Sequence, residues 1–554
     1  MTPVRWRAPV AVALFLGAAA SGADAQADAK HAEGSRGMAA TGSVFATRAA
    51  VSALEAGGNA IDAAAAAAFA IMVTDPANTS VGGRAQILIR LASGELIAID
   101  GATEAPAGVP PLAGANDDRT GFKTAAIPGA PAALARMVAR YGRRTLGQAL
   151  APAIALAEDG FPVPARLAAA FARTRTALAA TPGAARHFLK PDGSAYREGE
   201  RFRQPALAAL LRRLAADGVE ALYHGTVAEA IAAEMRAGGG FVTAADLAAY
   251  RVQDGVVVRT PYRGYDVASA GGRAWGNTLT EMLNILGNFP PPRGEPDPAG
   301  AELLARIVAQ SLEDRPQQLG TLKPKLDGFP LDTLSSAPFA ADRANRIRAA
   351  LGRGPAAAEG GSGDHDTSHL SVMDAEGNAV ALTMSIGPTF GTRIASAESG
   401  FLFGYSYRMR SDPTPNARDL TEMTPTIVSS GGRPVLVIGG AGSERIPSAI
   451  LQVMSNVIDR GWSLPRAMTA PRLSAAGAVI RLQPGFRPDV ATALAAQGFR
   501  IETIAPDDPR HAGLVHAVAR DPATGRFLGA ADAGDSGSAG GPGARPAAPP
   551  ARDR

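Results

Sequence analysis

An alanine-rich segment over residues 60–73, AIDAAAAAAFAIMV, most constrains how this chain can fold. It follows a helix predicted over Thr47–Glu55, and the residues Gly57, Gly58 and Asn59 separate the two. Glycine just beyond a helix end favours a left-handed cap, and asparagine is a good N-cap for the next helix. Side chains as small as alanine let a helix pack closely against its neighbour. The segment therefore predicts a helix packed tightly against another layer of the protein.

The rest of the chain alternates strands and helices without a regular spacing. Residues 85–100, AQILIRLASGELIAID, are typical of a hairpin. A second hairpin is predicted over His369–Met373 and Ala379–Ser385, with turn chemistry between them. Residues 424–461 predict strand, Gly-Gly turn, strand, glycine-rich loop and helix. Because the elements do not follow βαβ spacing, the pattern favours an α+β fold over a doubly wound sheet.

The N-terminus has the pattern of a secretory signal peptide. Arg5 and Arg7 precede an apolar run that ends near Ala20, and residues 23–25, Ala-Asp-Ala, fit a small-x-small cleavage site. Residues 1–25 are predicted to be removed, which gives a periplasmic or secreted protein with no stable membrane span. A retained membrane anchor is the alternative, although the apolar run is short for a span.

Both ends of the mature chain are predicted to lack regular structure. Residues 26–40 have no clear pattern of strand or helix. Residues 534–554, GDSGSAGGPGARPAAPPARDR, are of low complexity and are predicted to be a disordered tail.

Composition excludes several classes of function. The net charge is +4 over 554 residues without a dense cluster of lysine and arginine, so no nucleic-acid partner is expected. The absence of cysteine excludes thiol catalysis and cysteine-ligated metal sites. An apolar fraction of 46% is enough for a sizeable core.

Thr367 stands where a glycine- and aspartate-rich segment meets the first strand of the second hairpin. A threonine hydroxyl is a weak nucleophile unless a base lies beside it, and a threonine at a chain terminus has its own α-amine as that base. The α-amine has a pKa near 7.7–8.0, so a useful fraction is unprotonated at neutral pH. The hypothesis requires cleavage of the Asp366–Thr367 bond. An ordinary turn threonine is the alternative.

The segment DTSHLSVMDAEGNAVALTMSIGPTFGTRIASAESGFLF, residues 366–403, resembles the small-subunit start of the γ-glutamyltranspeptidases, a family of N-terminal-nucleophile hydrolases. The likeness rests on the Thr-Ser-His start, on S-V-x-D-x-x-G-N-A-V, and on the later F-G and E-S-G. Further motifs follow in the family's order: AGGNAIDAAAAAAFAIMVTDP, TAAIPGAPAALARMVARYG, LAEDGFPV, YRGYDV, MTPTIV and RAMTAPRL. Several collinear motifs are more specific than any one of them.

The resemblance implies a four-layer αββα sandwich formed by both subunits of a self-cleaved precursor. Residues 26–366 would be the large subunit and residues 367–533 the small, catalytic subunit, and the two would stay associated.

The resemblance also implies catalytic roles. Thr367 would be the nucleophile in both processing and catalysis, and Ser385 takes the place of a threonine that hydrogen-bonds near the nucleophile's amine. Gly442 and Ser443 match the glycine-rich loop whose backbone N–H groups hold the oxyanion. The residues themselves agree, because this loop enters a helix near Pro447, and amides at a helix N-terminus suit negative charge. An ordinary strand-to-helix turn is the alternative.

The match fails where the family grips a γ-glutamyl group. Ala102 stands where the family has the arginine that holds the α-carboxylate, and Met409 stands where an acidic residue holds the α-amine. An alanine cannot imitate a bidentate arginine–carboxylate contact. The other contact positions become Gly387, Ser406, Thr421 and Glu422. Arg84, at a family glycine, is a candidate replacement charge, and Arg408 and Arg410 are further candidates.

The predicted function is therefore that of an exported γ-glutamyltranspeptidase-like amidohydrolase or acyltransferase acting on a small-molecule amide. The alternatives are a cephalosporin-acylase-like amidase with a non-glutamyl substrate, and an unprocessed, non-catalytic relic that acts as a binding protein. No cofactor is expected. A metal site at His365, His369, Asp364 and Asp366 is disfavoured, because no helix presents the pair of histidines on one face.

Overall fold

The computed structural model describes residues 29–114, 116–315, 331–355, 367–505, 508 and 511–547. The predicted signal peptide, residues 1–25, lies outside this part of the chain, as do three of the four residues of the disfavoured metal cluster.

Two large antiparallel sheets form the centre of the molecule. One has seven strands in the order β19 (Ser538–Gly540), β2 (Gly37–Thr41), β10 (Ser368–Asp374), β11 (Ala379–Ser385), β3 (Arg84–Arg90), β4 (Leu96–Gly101) and β7 (Gln253–Asp254). The other has eight strands in the order β20 (Arg545–Pro546), β1 (His31–Gly34), β18 (Phe527–Ala531), β17 (Leu514–Arg520), β13 (Arg433–Ala441), β12 (Thr426–Ser430), β9 (Tyr265–Gly271) and β8 (Val256–Tyr262). The minor sheets are β5 (Phe161–Pro162) with β6 (Arg201–Phe202), and β14 (Leu473–Ala476), β15 (Val479–Leu482) and β16 (Arg500–Thr503).

Helices cover the outer face of each large sheet. Those in the N-terminal half of the chain are Val44–Glu55, Ala60–Thr74, Ala130–Tyr141, Leu146–Asp159, Ala165–Leu178, Pro182–Phe188, Pro205–Asp217, Glu220–Tyr223, Gly225–Ala237 and Ala244–Ala249. The later helices are Gly276–Gly287, Pro298–Asp314, Leu331–Leu334, Ala337–Ala350, Tyr407–Ser411, Ile446–Ile458, Leu464–Thr469 and Pro488–Ala496.

Three apolar clusters separate four layers. One joins the N-terminal helices to the seven-stranded sheet, a second joins the eight-stranded sheet to helices such as Gly276–Gly287 and Ile446–Ile458, and a third fills the space between the sheets. The helix Ala60–Thr74 is buried along its whole length and packs on β10 and β11. This αββα arrangement confirms the predicted fold class.

Both large sheets contain strands from before and from after the predicted cleavage point, and the two sets are interleaved. In the seven-stranded sheet, β10 and β11 lie between β2 and β3. In the eight-stranded sheet, β1 pairs with β18, and β9 pairs with β12. A cut between residues 366 and 367 would therefore leave the two fragments joined by ladders of backbone hydrogen bonds and a shared core.

The two terminal segments differ from the prediction. Residues 26–40 were expected to be unstructured, yet β1 and β2 begin at His31 and Gly37. The disordered tail predicted over 534–554 is wrong for residues 534–547, because Ser538–Gly540 forms a buried strand paired with β2. Glycine and serine fit here because the chains approach closely, and a Cβ on Gly537 would lie 2.0 Å from the Thr41 carbonyl oxygen. Residues 548–554 lie outside the described part.

None of the helices in the described part of the chain has the length and apolarity needed to cross a membrane.

Candidate active site

Thr367, Ser385, Arg84 and Ala102 lie in one row across the seven-stranded sheet. The first three are predicted site residues, and Ala102 stands where the family resemblance implies an arginine. Ser368 pairs with Met384 and Ser385 pairs with Arg84, so continuing the register by one residue sets Thr367 opposite Ser385. Ala85 pairs with Gly101, which sets Arg84 opposite Ala102. Residues directly opposite across antiparallel strands share a face, and neighbouring strands lie about 4.8 Å apart. Nucleophile, hydroxyl partner and arginine thus lie side by side, two strand spacings from end to end.

This row faces the space between the two sheets. Two residues along β10 from Thr367, His369 lies against Gly439 of β13, where a Cβ would come within 2.2 Å of the imidazole. Ser371 Oγ donates to the His516 carbonyl oxygen at 3.0 Å, so it accepts from His369 Nε2 at 2.9 Å. Nδ1 then accepts from Thr383 Oγ1 at 2.8 Å. Burial lowers the pKa of His369 well below its usual range, and this neutral ring ties β10 and β11 together beneath the nucleophile.

Thr367 and Ser385 are both buried, with 8% and 4% of their surface exposed. Ser385 Oγ accepts a hydrogen bond from the Gly387 backbone N–H at 2.8 Å, which fixes the hydroxyl at the end of β11. The nucleophile candidate is thus shielded from bulk water.

The turn after β13, predicted to be the oxyanion loop, has an unusual backbone conformation. Gly442 has φ +125° and Ser443 has φ +56°, a left-handed conformation that is rare for a residue with a side chain. The Gly442 carbonyl oxygen accepts from the Arg445 backbone N–H at 3.1 Å and from Arg445 Nε at 2.7 Å. Ser443 Oγ is buried and has no hydrogen-bond partner among the described residues. Non-glycine strain of this kind clusters at functional sites.

Glu422 connects this turn electrostatically to the row. Its loss of hydration raises the pKa of its carboxyl to about 7, with Glu444 raising it further and Arg84 and Arg315 opposing. Glu444 directly follows Ser443, so the turn after β13 and Arg84 both lie within electrostatic range of the Glu422 carboxyl.

Asp419 is a site residue that the sequence did not reveal. Its carboxylate accepts from Ser406 Oγ at 2.8 Å, from Thr103 Oγ1 at 2.7 Å and from Arg84 Nη1 at 3.4 Å. The only local signal was an acidic residue between Arg418 and Leu420, and no spacing rule pairs it with β3. Asp419 fixes one side of the Arg84 guanidinium.

Two other predicted substrate residues, Ser406 and Thr421, make hydrogen bonds within the protein. Ser406 caps the helix Tyr407–Ser411 by accepting from the Met409 N–H at 3.1 Å, so both sides of its hydroxyl are used. Thr421 Oγ1 accepts from the Met423 N–H at 3.3 Å in a local turn.

The two other candidate arginines are tied to nearby acids. Arg410 is exposed and pairs with Asp118 at 3.6 Å, and Arg408 Nη1 lies 4.0 Å from Asp412. Among the three arginine candidates, only Arg84 belongs to the row that contains Thr367.

Within the described ranges, no group of three or more histidine, aspartate or glutamate side chains is arranged to hold a metal ion.

Comparison with known proteins agrees with this geometry. The family model described as Gamma-glutamyltranspeptidase matches residues 46–541. The chain is 34% identical to the Acylase ACY 1 proenzyme of Pseudomonas sp. (strain SE83), covering 92% of this chain and 94% of that one. It is 31% identical to the Glutathione hydrolase proenzyme of Escherichia coli (strain K12), covering 84% and 86%.

Among solved structures, the cephalosporin acylase from Bacillus halodurans superposes with a TM-score of 0.80 at 28% identity, covering 92% of this chain and 96% of that one. Its sandwich architecture is that of the N-terminal-nucleophile hydrolases. Sequence, site geometry and fold agree: this chain belongs to the γ-glutamyltranspeptidase family.

Proposed function

We propose that this protein is a self-processing amidohydrolase that transfers an acyl group through Thr367. Cleavage of the Asp366–Thr367 bond would release the α-amine of Thr367, which becomes the general base. The predicted products are residues 26–366 and residues 367–554, with the C-terminal segment retained in the fold.

In the proposed reaction, Thr367 Oγ attacks the amide carbonyl carbon and gives its proton to its own α-amine. The carbonyl oxygen becomes an oxyanion, which the N–H groups of Gly442 and Ser443 stabilise. When the C–N bond breaks, the ammonium returns the proton to the leaving amine, and an ester to Thr367 Oγ remains. Water or an acceptor amine then attacks this ester, and Thr367 recovers its hydroxyl. Ser385 holds the nucleophile in place.

The observation that carries the proposal is the β10–β11 register, which supports it because continuing the ladder by one residue from Ser368 and Met384 brings Thr367 opposite Ser385. The interleaving of strands supports it further, because a cleaved chain would keep this row assembled.

Two candidate activities differ in the acyl group that is transferred. Glutathione hydrolysis or γ-glutamyl transfer is supported by the relatives that bear the name glutathione hydrolase. An altered acyl group is supported by Ala102 and Met409, which remove the arginine and the acid that the family resemblance implies. We favour the altered acyl group, since both charged contacts to a γ-glutamyl headgroup are absent at their usual positions.

Export is part of the proposal, and it rests on residues 1–25, outside the described chain. A sample secreted from cells would begin near residue 26.

The test is to compare Thr367→Ala, Thr367→Ser and wild type on a denaturing gel and with acyl-p-nitroanilides. Wild type should give two bands and release nitroaniline, and Thr367→Ala should give one band and no release. Thr367→Ser should retain slow cleavage, because it keeps a hydroxyl.

A matched control is Thr524→Ala, which changes a threonine in an exposed turn. It should behave as wild type. Normal cleavage and turnover by Thr367→Ala would contradict the proposal, and an intact wild-type band without turnover would support the relic.

A further inference from the structure

The Arg84 guanidinium has one edge occupied and one edge open. Nη1 donates to the Tyr405 carbonyl oxygen at 3.2 Å and faces Asp419 Oδ2 at 3.4 Å. Nε is buried without any hydrogen-bond partner, and Nη2 makes no hydrogen bond with the described residues. Nε and Nη2 form the side of the guanidinium that binds a carboxylate with two parallel hydrogen bonds. A buried Nε without an acceptor is costly, and the edge that it shares with Nη2 is suited to an acidic group.

Arg84 lies beside the predicted reacting groups. Arg84 is 4% exposed and stands beside Ser385 in the same row as Thr367. Gly387 has φ +92°, and a Cβ there would lie 3.8 Å from Arg84 Nη2. The space next to the family's amide position is thus occupied by the guanidinium.

The exchange between Arg84 and Ala102 moves a positive charge by one strand. The two positions are cross-strand neighbours, so the arginine here starts about 4.8 Å nearer to Thr367 than an arginine at residue 102 would. The site has kept a guanidinium for an anionic group while changing its distance from the nucleophile.

Nothing comparable remains for an ammonium group. Met409 is fully buried against Ala105, Val109 and Phe241, so an apolar contact replaces an acid. Asp419 is already occupied by Ser406, Thr103 and Arg84. An α-ammonium would lie near the Arg84 guanidinium, which repels it. Glu422 would be the remaining acidic side chain to balance its charge.

We propose that Arg84 is the specificity-determining residue of this site and that it binds the terminal carboxylate of an acyl group without an α-amine. This inference rests on the proposed acyl transfer through Thr367. The substrate class is then an amide of a dicarboxylic acid, with one carboxyl acylated onto the amine and the other held by Nε and Nη2.

The test uses three p-nitroanilides with the same five-carbon acyl chain. Glutaryl carries a carboxylate alone, L-γ-glutamyl carries a carboxylate and an ammonium, and pentanoyl carries neither. Wild type should turn over glutaryl with a kcat/KM about 10- to 100-fold above that for pentanoyl, the range expected for hydrogen bonds to a charged group. The γ-glutamyl compound should fall below glutaryl.

Arg84→Met should remove the preference for glutaryl over pentanoyl mainly through a higher KM for glutaryl. Arg84→Lys should restore only part of it, because an ammonium lacks the planar fork. The matched control is Arg90→Met, on the same strand and face as Arg84. Arg90 donates to the carbonyl oxygens of Leu91 and Gly432, and its loss should leave the preference unchanged.

The outcomes separate the two proposals. If no acyl amide is turned over by cleaved protein, the proposed acyl transfer fails. If pentanoyl is turned over but glutaryl is not preferred, or if Arg84→Met keeps the preference, the role of Arg84 is overturned and acyl transfer stands. Faster turnover of γ-glutamyl than glutaryl would overturn the substrate class. Should Arg84→Met fail to fold, the KM of Arg84→Lys for glutaryl decides, and an unchanged value contradicts the proposal.

Discussion

The two ends of the row that crosses the seven-stranded sheet differ in how they are built. At one end, Thr367 and Ser385 occupy positions fixed by the β10–β11 ladder, and both keep a hydroxyl. At the other end, Arg84 stands where the family resemblance implies a glycine, and Ala102 stands where it implies an arginine. The backbone register is the same throughout. Specificity can therefore change by exchanging cross-strand neighbours while the reacting groups stay in place.

A second comparison separates a structural arginine from a recognition arginine on β3. Arg90 and Arg84 are both buried and lie on the same face. Arg90 is directed to main-chain carbonyl oxygens around it, whereas Arg84 leaves Nε without an acceptor. Burial alone does not distinguish them, but their partners among the described residues do: Arg90 donates through both terminal nitrogens, whereas Arg84 donates through Nη1 alone.

The largest effect is expected from the oxyanion turn at the nucleophile end. Gly442→Ala sets a Cβ 2.8 Å from His511 Cε1 at φ +125°, so the turn must shift. Displacing one oxyanion donor lowers kcat by about 100-fold or more. Steady-state kinetics with pentanoyl-p-nitroanilide measure this loss. Gly461→Ala, at φ +69° in open space, adds similar strain elsewhere and should keep kcat. Equal kcat values for Gly442→Ala and wild type would remove this turn from the mechanism.

A smaller effect is expected at Ser385. Ser385→Ala removes the hydroxyl opposite Thr367 and should lower kcat by about 10-fold, with little change in KM, since the hydroxyl positions the nucleophile. Ser385→Thr keeps the hydroxyl and should restore most of the rate. A fall in both variants would show that packing at this position matters and the hydroxyl does not.

The pH dependence of specificity sharpens the contrast between the two ends. Glu422, with a pKa of about 7, is neutral below that pH and negative above it. Arg84, Arg315, Glu444 and the Tyr407 hydroxyl lie around it. A negative Glu422 repels the carboxylate bound by Arg84, so the ratio of kcat/KM for glutaryl over pentanoyl should fall several-fold from pH 6 to pH 8.

Taking the ratio of the two substrates removes the titration of the Thr367 amine, which affects both equally. Glu422→Gln should flatten the ratio between pH 6 and pH 8. A ratio that rises with pH in wild type would mean that Glu422 does not face the acyl group.

The smallest effect is expected at Ser406, which supports the recognition end without contacting substrate in this account. Ser406→Ala removes a helix N-cap and should cost about 1 kcal/mol in the free energy of unfolding. The glutaryl preference should change little, since Thr103 still holds Asp419. Ser336→Ala removes the N-cap of a distant helix and is the control. Loss of specificity by Ser406→Ala alone would place this hydroxyl at the substrate.

Local patterns were enough to predict much of the fold. The helix over 60–73, the hairpins and the strand–turn–strand–helix over 424–461 follow from side-chain periodicity and from glycine and asparagine at their ends. The four layers came from family resemblance. The terminal strands were missed, because Ser538–Gly540 is stabilised by pairing with β2 and not by its own composition.

The site residues also divide into those that local sequence motifs revealed and those that they did not. Motifs brought Thr367, Ser385, Gly442 and Ser443 to attention, since each belongs to a short local pattern. Asp419 and the row that joins Arg84 to Ala102 depend on pairings between distant strands, which no local pattern reveals. Ser406 was predicted to contact substrate because only its sequence position was known, and its hydrogen bonds are now seen to be internal.

The central claim is that one peptide bond breaks so that Thr367 becomes a chain terminus. Intact mass spectrometry of the purified, active protein under denaturing conditions tests this most directly. The account predicts two polypeptides, one of which has the mass of residues 367–554, and their co-elution as one species under native conditions. A single uncleaved polypeptide that still hydrolyses acyl amides would contradict it.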